Sequence, residues 1–197
     1  MKTMMTSILT LLMITSSSLV FGAARSWEVD KAHSAIYFSV DHIFSETRGH
    51  FNEFDIEVNF DPAQLDQSSF VFTIEVDSID TNITKRDKHL LSADFFESSK
   101  FPQITFASTK ITDAGNGMFD VAGTLTVKGK KYDLTLPLKL VGVTEHPAKK
   151  GTEVAGFDGT IVIDRLAHGV GTGKFYDMGV VGKEVEVLVT LEVLSNK

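Results

Sequence analysis

The sequence predicts an all-β fold in which antiparallel strands pair in chain order, interrupted by one short helix. Apolar and polar residues alternate in one segment after another, which is the pattern of strands with a single buried face. Short turns rich in Gly and Asn, such as Gly115-Asn116-Gly117, separate several of these segments and favour pairing between consecutive strands. Residues 81–106 are the one stretch that departs from the alternation.

The alternating segments give about eight or nine strands, and each can be placed in the chain. In the third, Phe54, Ile56 and Val58 share one face while acidic and amide side chains share the other. No second layer of helices is available to cover these apolar faces, so the sheet must cover them by closing into a barrel or folding as a sandwich. The predicted strands are residues 27–30, 34–42, 51–61, 70–80, 103–112, 118–127, 131–143, 153–164 and 184–194.

The short helix is predicted within residues 81–106. Thr84 followed three residues later by Asp87 has the form of a capping box, and Pro102 marks a return to extended chain. We expect Arg86 and Asp87 to hold the helix to the rim of the sheet by hydrogen bonds. The apolar residues of this stretch either plug one end of the barrel or form a gate over its interior: Leu90, Leu91, Phe95 and Phe96.

The N-terminus has the order of a secretory signal peptide, with Lys2, an apolar run and then small residues at 22–24. The apolar run is shorter than the ~20 residues of a spanning helix, which disfavours a membrane anchor. We therefore expect a signal peptide at residues 1–23 and one exported domain at residues 24–197, in the periplasm or secreted. The chain has 0 Cys, which excludes thiol chemistry and disulfides and leaves stability to burial.

Charge and histidine spacing narrow the possible functions. The net charge of −7 disfavours nucleic acid and anionic membranes as partners. None of the 6 His residues has compact metal-ligand spacing, so we expect no metal site. His42 and His50 flank a turn-like segment and could meet across a hairpin, which leaves an enzyme using them as metal ligands or as an acid–base pair as the alternative function. A Gly-rich segment at 169–173, with Arg165 and Lys174 nearby, can serve as a lid or a weak anion site.

The inward faces of the strands carry many aromatic side chains among Leu, Ile and Val. A barrel of about eight strands is just wide enough to be filled by its own side chains or to hold one small ligand. Alternation alone therefore leaves a solid aromatic core and an apolar pocket as open alternatives.

Several separate segments, in order, resemble the YceI-like family, and they span essentially the whole exported domain. The matching motifs are Asp30-Lys31-Ala32-His33-Ser34, Phe38-Ser39-Val40-Asp41-His42, Gly49-His50-Phe51-Asn52-Glu53-Phe54, Thr81-Asn82, Arg86-Asp87-Lys88-His89-Leu90, Ala93-Asp94-Phe95-Phe96, Lys100-Phe101-Pro102, Ile104-Thr105-Phe106 and Gly123-Thr124-Leu125-Thr126-Val127-Lys128-Gly129.

The resemblance implies a lipocalin-like antiparallel barrel whose apolar lumen binds a polyisoprenoid or another long-chain amphiphile, with a quinone among the candidates. It implies a periplasmic or secreted protein, often dimeric, without catalysis or a cofactor. The polar head would lie at the mouth, near Arg86, Lys88, His89, Arg165 or Lys174. The residues expected to contact the ligand are Phe38, Val40, Phe54, Ile56, Phe70, Phe72, Ile74, Leu90, Leu91, Phe95, Phe106, Phe119, Tyr132, Leu134, Leu136, Leu138, Phe157 and Val187.

Overall fold

The computed structural model describes residues 23–196, so the predicted signal peptide lies outside the described residues except for Ala23. Two α-helices occur, α1 (Thr84–Leu90) and the single turn α2 (Lys174–Asp177), and 3₁₀ turns occupy Leu65–Gln67 and Val76–Ser78. Within this range no helix is both long and apolar enough to cross a membrane. The strands are β1 (Ser26–Val29), β2 (Ala35–His42), β3 (Ser45–Phe51), β4 (Phe54–Asn59), β5 (Ser69–Glu75), β6 (Ile79–Asp80), β7 (Gln103–Gly115), β8 (Met118–Val127), β9 (Lys130–Glu145), β10 (Thr152–Asp164) and β11 (Val181–Asn196).

The strands form one closed antiparallel barrel. Neighbours follow the order β4–β5–β7–β8–β9–β10–β11, and β1 closes the ring by pairing with both β11 and β4. β1 and β2 lie along the same edge of β11, through Val29 opposite Val193 and Ala35 opposite Thr190. β3 with β4, and β5 with β6, likewise continue one another, so eight positions surround the barrel. The predicted all-β barrel with a short helix is confirmed.

Hydrogen bonds of Asp30, His33 and Ser34 stabilise the break between β1 and β2. Asp30 accepts a hydrogen bond from the N–H of Ala32 at 3.0 Å, and its other carboxylate oxygen lies 3.0 Å from Nδ1 of His33. This hydrogen bond lowers the pKa of Asp30 and raises the pKa of His33. Ser34 then rejoins the sheet, because its hydroxyl accepts from the N–H of Glu192 at 3.0 Å.

One half of the barrel interior is a solid aromatic core, which we call the packed half. Its centre is formed by Phe60, Phe70, Phe119 and Phe157, all at most 5% exposed. The Phe60 ring lies 5.0 Å from Phe119 and 5.2 Å from Phe157 in edge-to-face contacts, the preferred geometry of aromatic pairs. Trp27 covers the end of this core and donates its indole N–H to the carbonyl of Phe60 at 2.9 Å.

The helix α1 is present, but its predicted capping box is wrong. Its N-cap residue is Ile83, without a side-chain capping bond. Asp87 instead accepts from the backbone N–H of Thr81 at 2.9 Å and from its hydroxyl, while Arg86 donates to the Thr81 hydroxyl at 2.7 Å and to its carbonyl at 2.6 Å. Thr81 is 2% exposed, so its polar groups need these partners. The expected attachment of α1 by Arg86 and Asp87 therefore runs through Thr81.

Candidate functional site

The other half of the barrel, which we call the cavity half, contains an apolar cavity of about 210 Å³. It opens toward the end of the barrel where α1 and the β10–β11 loop (residues 165–180) lie. Within residues 23–196 every residue of its wall is apolar except Arg165 and His168. The wall consists of Ile36, Phe38, Val40, Phe51, Phe72, Ile74, Ile79, Leu90, Phe95, Phe96, Ile104, Phe106, Leu125, Val127, Leu134, Leu136, Ile161, Ile163, Arg165, His168, Val170, Val181, Val185, Val187 and Val189.

The floor of the cavity lies where the inward-facing residues of a strand change from wall residues to residues of the packed half. On β9, Leu134 and Leu136 belong to the wall, whereas Leu138, two residues further, is 0% exposed and belongs to the packed half. On β8 the inward-facing Gly123 lies opposite Leu134. A Cβ there would lie 2.4 Å from the carbonyl oxygen of Ala107 and 2.6 Å from the Phe106 ring, so only glycine leaves room for that ring.

The segment that follows α1 covers the open end. Leu90, Phe95 and Phe96 are part of the cavity wall, and Phe95 packs with Val127 and Val170 in a small buried cluster. Lys128 donates to the carbonyl of Phe95 at 2.6 Å, which fixes the segment to the turn after β8. We call Leu90, Phe95 and Phe96 the cap. The cap covers the end of the barrel and also faces the cavity. The predicted plug and the predicted gate therefore consist of the same residues.

Arg165 and His168 supply the polar part of the wall. The Arg165 side chain donates to three backbone carbonyls, those of Gly182 at 2.7 Å, Val170 at 3.0 Å and Val181 at 3.3 Å. It is 7% exposed, and this burial lowers the pKa of its guanidinium. Nδ1 of His168 lies 2.8 Å from the carbonyl oxygen of Asp164, and its ring packs 4.5 Å from that of Tyr132.

The predicted ligand contacts divide between the two halves of the barrel. The wall of the cavity includes Phe38, Val40, Phe72, Ile74, Leu90, Phe95, Phe106, Leu134, Leu136 and Val187. Six others belong to the main core outside the wall: Phe54, Ile56, Phe70, Phe119, Leu138 and Phe157. Leu91 packs on this core without entering the wall, and Tyr132 packs beside the Phe95 cluster. Alternation identifies the inward face of a strand but not the level along the barrel, so the predicted set includes residues of both halves.

The wall also contains residues outside the predicted set of ligand contacts. Five of them lie on β10 and β11 at the same inward parity as Val187, so the alternation of those strands already contains the signal for them. Val170 and His168 lie in the β10–β11 loop, where no periodicity exists to find them. The additional wall residues are Ile36, Phe51, Ile79, Phe96, Ile104, Leu125, Val127, Ile161, Ile163, His168, Val170, Val181, Val185 and Val189.

Arg165 is the one residue of the predicted head-group set that reaches the cavity wall within residues 23–196. Arg86 is bound to Thr81. His89 packs against Phe95 and Phe175 and lies 3.1 Å from a carboxylate oxygen of Asp94. Lys88 and Lys174 are exposed and lie outside the wall.

The proposed approach of His42 and His50 is wrong. In the β2–β3 pairing His42 lies opposite Ser45 and His50 lies opposite Tyr37, so five residues, or ~17 Å of strand, separate them. Their side chains also point to opposite faces, because His42 shares the parity of inward-facing Val40 and His50 lies beside exposed Tyr37. Within residues 23–196 the group compact enough to hold a cation is Asp30, His33 and Glu192, where Asp30 and His33 already bind each other.

Comparison with known proteins gives a consistent result. A family model described as the YceI-like domain matches residues 27–193. A protein YceI of Escherichia coli O6:H1 is 34% identical over 194 residues, which cover 95% of this chain and 98% of that protein. A UPF0312 protein of Vibrio cholerae is 38% identical over 151 residues, covering 75% of this chain and 79% of the relative.

Solved structures share the barrel. BcnA of Burkholderia cenocepacia aligns with a TM-score of 0.74 and 32% identity, covering 86% of this chain and all of that chain, 100%. A polyisoprenoid binding domain from Saccharophagus degradans, implicated in plant cell wall breakdown, aligns with a TM-score of 0.59 over 88% of this chain and 99% of its own. At 15% identity the second likeness concerns the fold alone.

Proposed function

The chain belongs to the YceI-like family, and from its cavity we propose that it binds a long-chain isoprenoid lipid, such as a polyprenyl compound or an isoprenoid quinone, and carries it through the periplasm. The observation that carries the proposal is the apolar wall in the cavity half of a closed barrel. A hydrocarbon chain needs no directional partners, and each buried CH₂ contributes about 0.8 kcal/mol to binding. A wall of Val, Ile, Leu and Phe is suited to that task.

The size of the cavity supports an apolar ligand. A volume of about 210 Å³ exceeds that of an apolar cavity of about 150 Å³ that admits benzene. The floor at Phe106 limits how far a chain can penetrate, and the cap residues Leu90 and Phe96 are only partly buried. Entry of a lipid therefore requires movement of the cap rather than of the barrel strands.

The proposal is binding and transport, not catalysis. In the described residues the polar groups of the wall are a guanidinium and an imidazole, and the wall contains neither a carboxylate nor a hydroxyl nucleophile. The separation of His42 and His50 removes the specific pair on which an enzymatic function depended. Export through the predicted signal peptide is the basis for placing the carrier in the periplasm.

Identification of the lipid that copurifies with the protein tests the proposal. Protein purified from its natural host is extracted with organic solvent, and the extract is analysed by mass spectrometry. We expect a long-chain isoprenoid near one per protein. Protein that carries no such lipid and takes up none from a mixed lipid extract would contradict the proposal.

A pair of neighbouring variants assigns the bound lipid to the cavity. Val187 belongs to the wall, so V187F fills part of the cavity and should abolish most of the lipid occupancy. Leu188, the next residue, is 37% exposed on the outer face, so L188F is the matched control and should retain full occupancy. Equal occupancy in the two variants would place the lipid elsewhere on the protein.

A further inference from the structure

Arg165 is a buried cation in an otherwise apolar cavity. It follows β10 directly, at the inward parity of Ile161 and Ile163, and only 7% of it is exposed. Its guanidinium carbon lies 5.9 Å from the centre of the Phe95 ring, a weak cation–π contact. Burial of an ionised group without an opposite charge is costly, so a buried cation needs an explanation.

The hydrogen bonds of Arg165 use only some of the N–H donors of its guanidinium. Nε, Nη1 and Nη2 each donate to one backbone carbonyl, of Gly182, Val170 and Val181 respectively. A guanidinium has five N–H groups, so two remain available for a further acceptor. The carbonyls are neutral dipoles and leave the positive charge without a counterion.

The neighbouring carboxylate makes no ion pair with Arg165, and its charge offsets only part of the effect of burial on the pKa of that guanidinium. Asp164 accepts from the backbone N–H groups of Leu166 and Ala167 and pairs with Lys183 at 3.3 Å. In residues 23–196 no ion pair includes Arg165 or Arg86, whereas Arg25 and Arg48 pair with Glu153 and Glu46. Arg165, the most buried arginine of the described residues, therefore has no ion-pair partner.

The guanidinium is also held in one position. Gly171 has a φ of +99°, and a Cβ at this residue would lie 2.3 Å from Nη1 of Arg165. The loop therefore wraps directly against the guanidinium, and the carbonyls of Val170 in the loop and of Val181 and Gly182 at the start of β11 orient the fork. A fixed fork of N–H donors matches the oxygens of carboxylates and phosphates.

His168 adds a second polar group to the same part of the wall. Its Nδ1 is bound to the carbonyl of Asp164, which assigns the proton of the neutral ring to Nδ1. Nε2 is then left as an acceptor for a hydroxyl group. Arg165 and His168 together provide donors and one acceptor at one site in the cavity wall.

We propose that the cavity selects lipids that end in an anionic head, a phosphate monoester or a carboxylate, whose oxygens accept hydrogen bonds from Arg165, while the hydroxyl of a singly protonated phosphate or of the adjoining chain donates to His168. This inference rests on the proposed function, since the apolar chain must occupy the cavity for the head to reach Arg165. It favours an acidic prenyl lipid over a neutral alcohol or quinone, because only an anion neutralises the buried charge.

Matched ligands test this inference on the wild-type protein. Geranylgeranyl phosphate and geranylgeraniol have the same chain and differ only in the head, as do palmitate and hexadecanol. We expect each anion to bind on the order of tenfold tighter than its alcohol, measured by titration calorimetry. Inorganic phosphate alone should neither bind measurably nor compete, because it lacks the chain.

Variants assign the preference to Arg165. R165M should reduce the anion-to-alcohol ratio to near one while retaining the affinity for geranylgeraniol, and R165K should restore part of the ratio. H168F should change the ratio less than R165M does, because the hydroxyl of the alcohol can donate to His168 as well. K174M is the matched control: it removes an exposed positive charge from the same loop and should leave the ratio unchanged.

The possible outcomes separate the two proposals. Equal affinity of phosphate and alcohol for the wild type overturns the head-group inference and leaves lipid binding intact. Tight binding of inorganic phosphate would show a simple anion site without lipid selectivity, which also overturns it. Binding of neither lipid overturns both proposals. If R165M does not fold, the wild-type ratio and the R165K and H168F variants still decide the question.

Discussion

The two halves of the barrel are built from the same strands but differ in what fills them. In the packed half, four phenylalanines meet ring to ring, with centroids 5.0–5.7 Å apart. In the cavity half, mostly Val, Ile and Leu occupy the inward positions and surround about 210 Å³. On β5 the change takes place between Phe70, in the packed half, and Phe72, in the cavity wall.

This difference separates stability from binding. Interlocked aromatic rings provide dense packing, which makes the packed half sensitive to any change in volume. Shorter aliphatic side chains cannot meet across the barrel, so the cavity half keeps space that a ligand can use. The fold can therefore lose contacts around its ligand site while the packed half maintains the barrel.

The largest expected effect is a truncation in the packed half. Phe157 is 1% exposed and its ring contacts those of Phe60 and Phe70. F157A should lower the free energy of unfolding by about 3–5 kcal/mol, because it creates a void among rigid rings. Urea unfolding measures this value, with F72A in the cavity wall as the comparison. An equal loss in the two variants would contradict the division into halves.

Substitution by a larger side chain should destabilise the packed half more than the cavity half. Val121 is 0% exposed in the packed half, so V121F should destabilise the protein by about 1–3 kcal/mol through overpacking. V187F places the same ring in the cavity and should cost less or nothing. Both are measured by urea unfolding of lipid-free protein. A larger loss for V187F would mean that the cavity cannot accept added volume.

The attachment of the cap should have a smaller effect on stability. D87A removes the acceptor of the buried Thr81 N–H and should cost on the order of 1 kcal/mol. Because Thr81 and α1 position the cap, lipid release should also accelerate, which stopped-flow transfer to acceptor vesicles measures. D87N keeps an acceptor oxygen and is the control. An unchanged release rate in D87A would show that the cap is held by its apolar contacts alone.

The smallest effect concerns the junction between the halves, where the Asp30–His33 pair connects β1 to β2. The pKa of His33 is raised, so its stabilising contribution is complete below the ordinary value of 6.5 and disappears as the pH rises through the raised pKa. The pKa of Asp30 is lowered, so its contribution is complete above 3.8 and disappears as the pH falls through the lowered pKa. The pair thus stabilises the junction most between these ordinary values.

A mutant cycle measures this effect. H33N should destabilise the protein more at about pH 5 than at about pH 8.5, because His33 loses its charge at the higher pH. The same substitution in a D30N background removes the hydrogen-bonded partner, so its pH dependence should fall to the part that Glu192, 3.7 Å from Nδ1 of His33, still supplies. Undiminished pH dependence in that background would assign the titration to another group.

The sequence predicts the barrel and the family well, since alternation and ordered motifs extend along the chain, and both predictions are confirmed. It does not predict which inward residues face the cavity. Phe70 and Phe72 have the same parity, and their difference depends on which side chains arrive from the opposite side of the barrel. The strand β3 also lacks apolar alternation, yet Thr47, Arg48 and Gly49 pair with β2.

Local side-chain roles are the least predictable part of the site. The spacing of Thr84 and Asp87 fits a capping box, but Thr81 is buried and binds Asp87 instead. Arg165 looks like one of several cations near the mouth, and only the folded loop shows that it is buried against Gly171 and in the cavity wall. Tertiary contacts determine these side-chain roles, and the spacing of residues in the sequence does not reveal those contacts.

The floor at Phe106 and Gly123 also determines how the protein responds to hydrostatic pressure. Unfolding of small proteins reduces the system volume by roughly 20–100 mL/mol, in part by eliminating internal voids. Here the void is confined to one side of the floor, so compression acts mainly on the strands around the cavity while the aromatic side resists it. A bound chain that fills the space removes that void, and the lipid-loaded barrel is therefore the less compressible form.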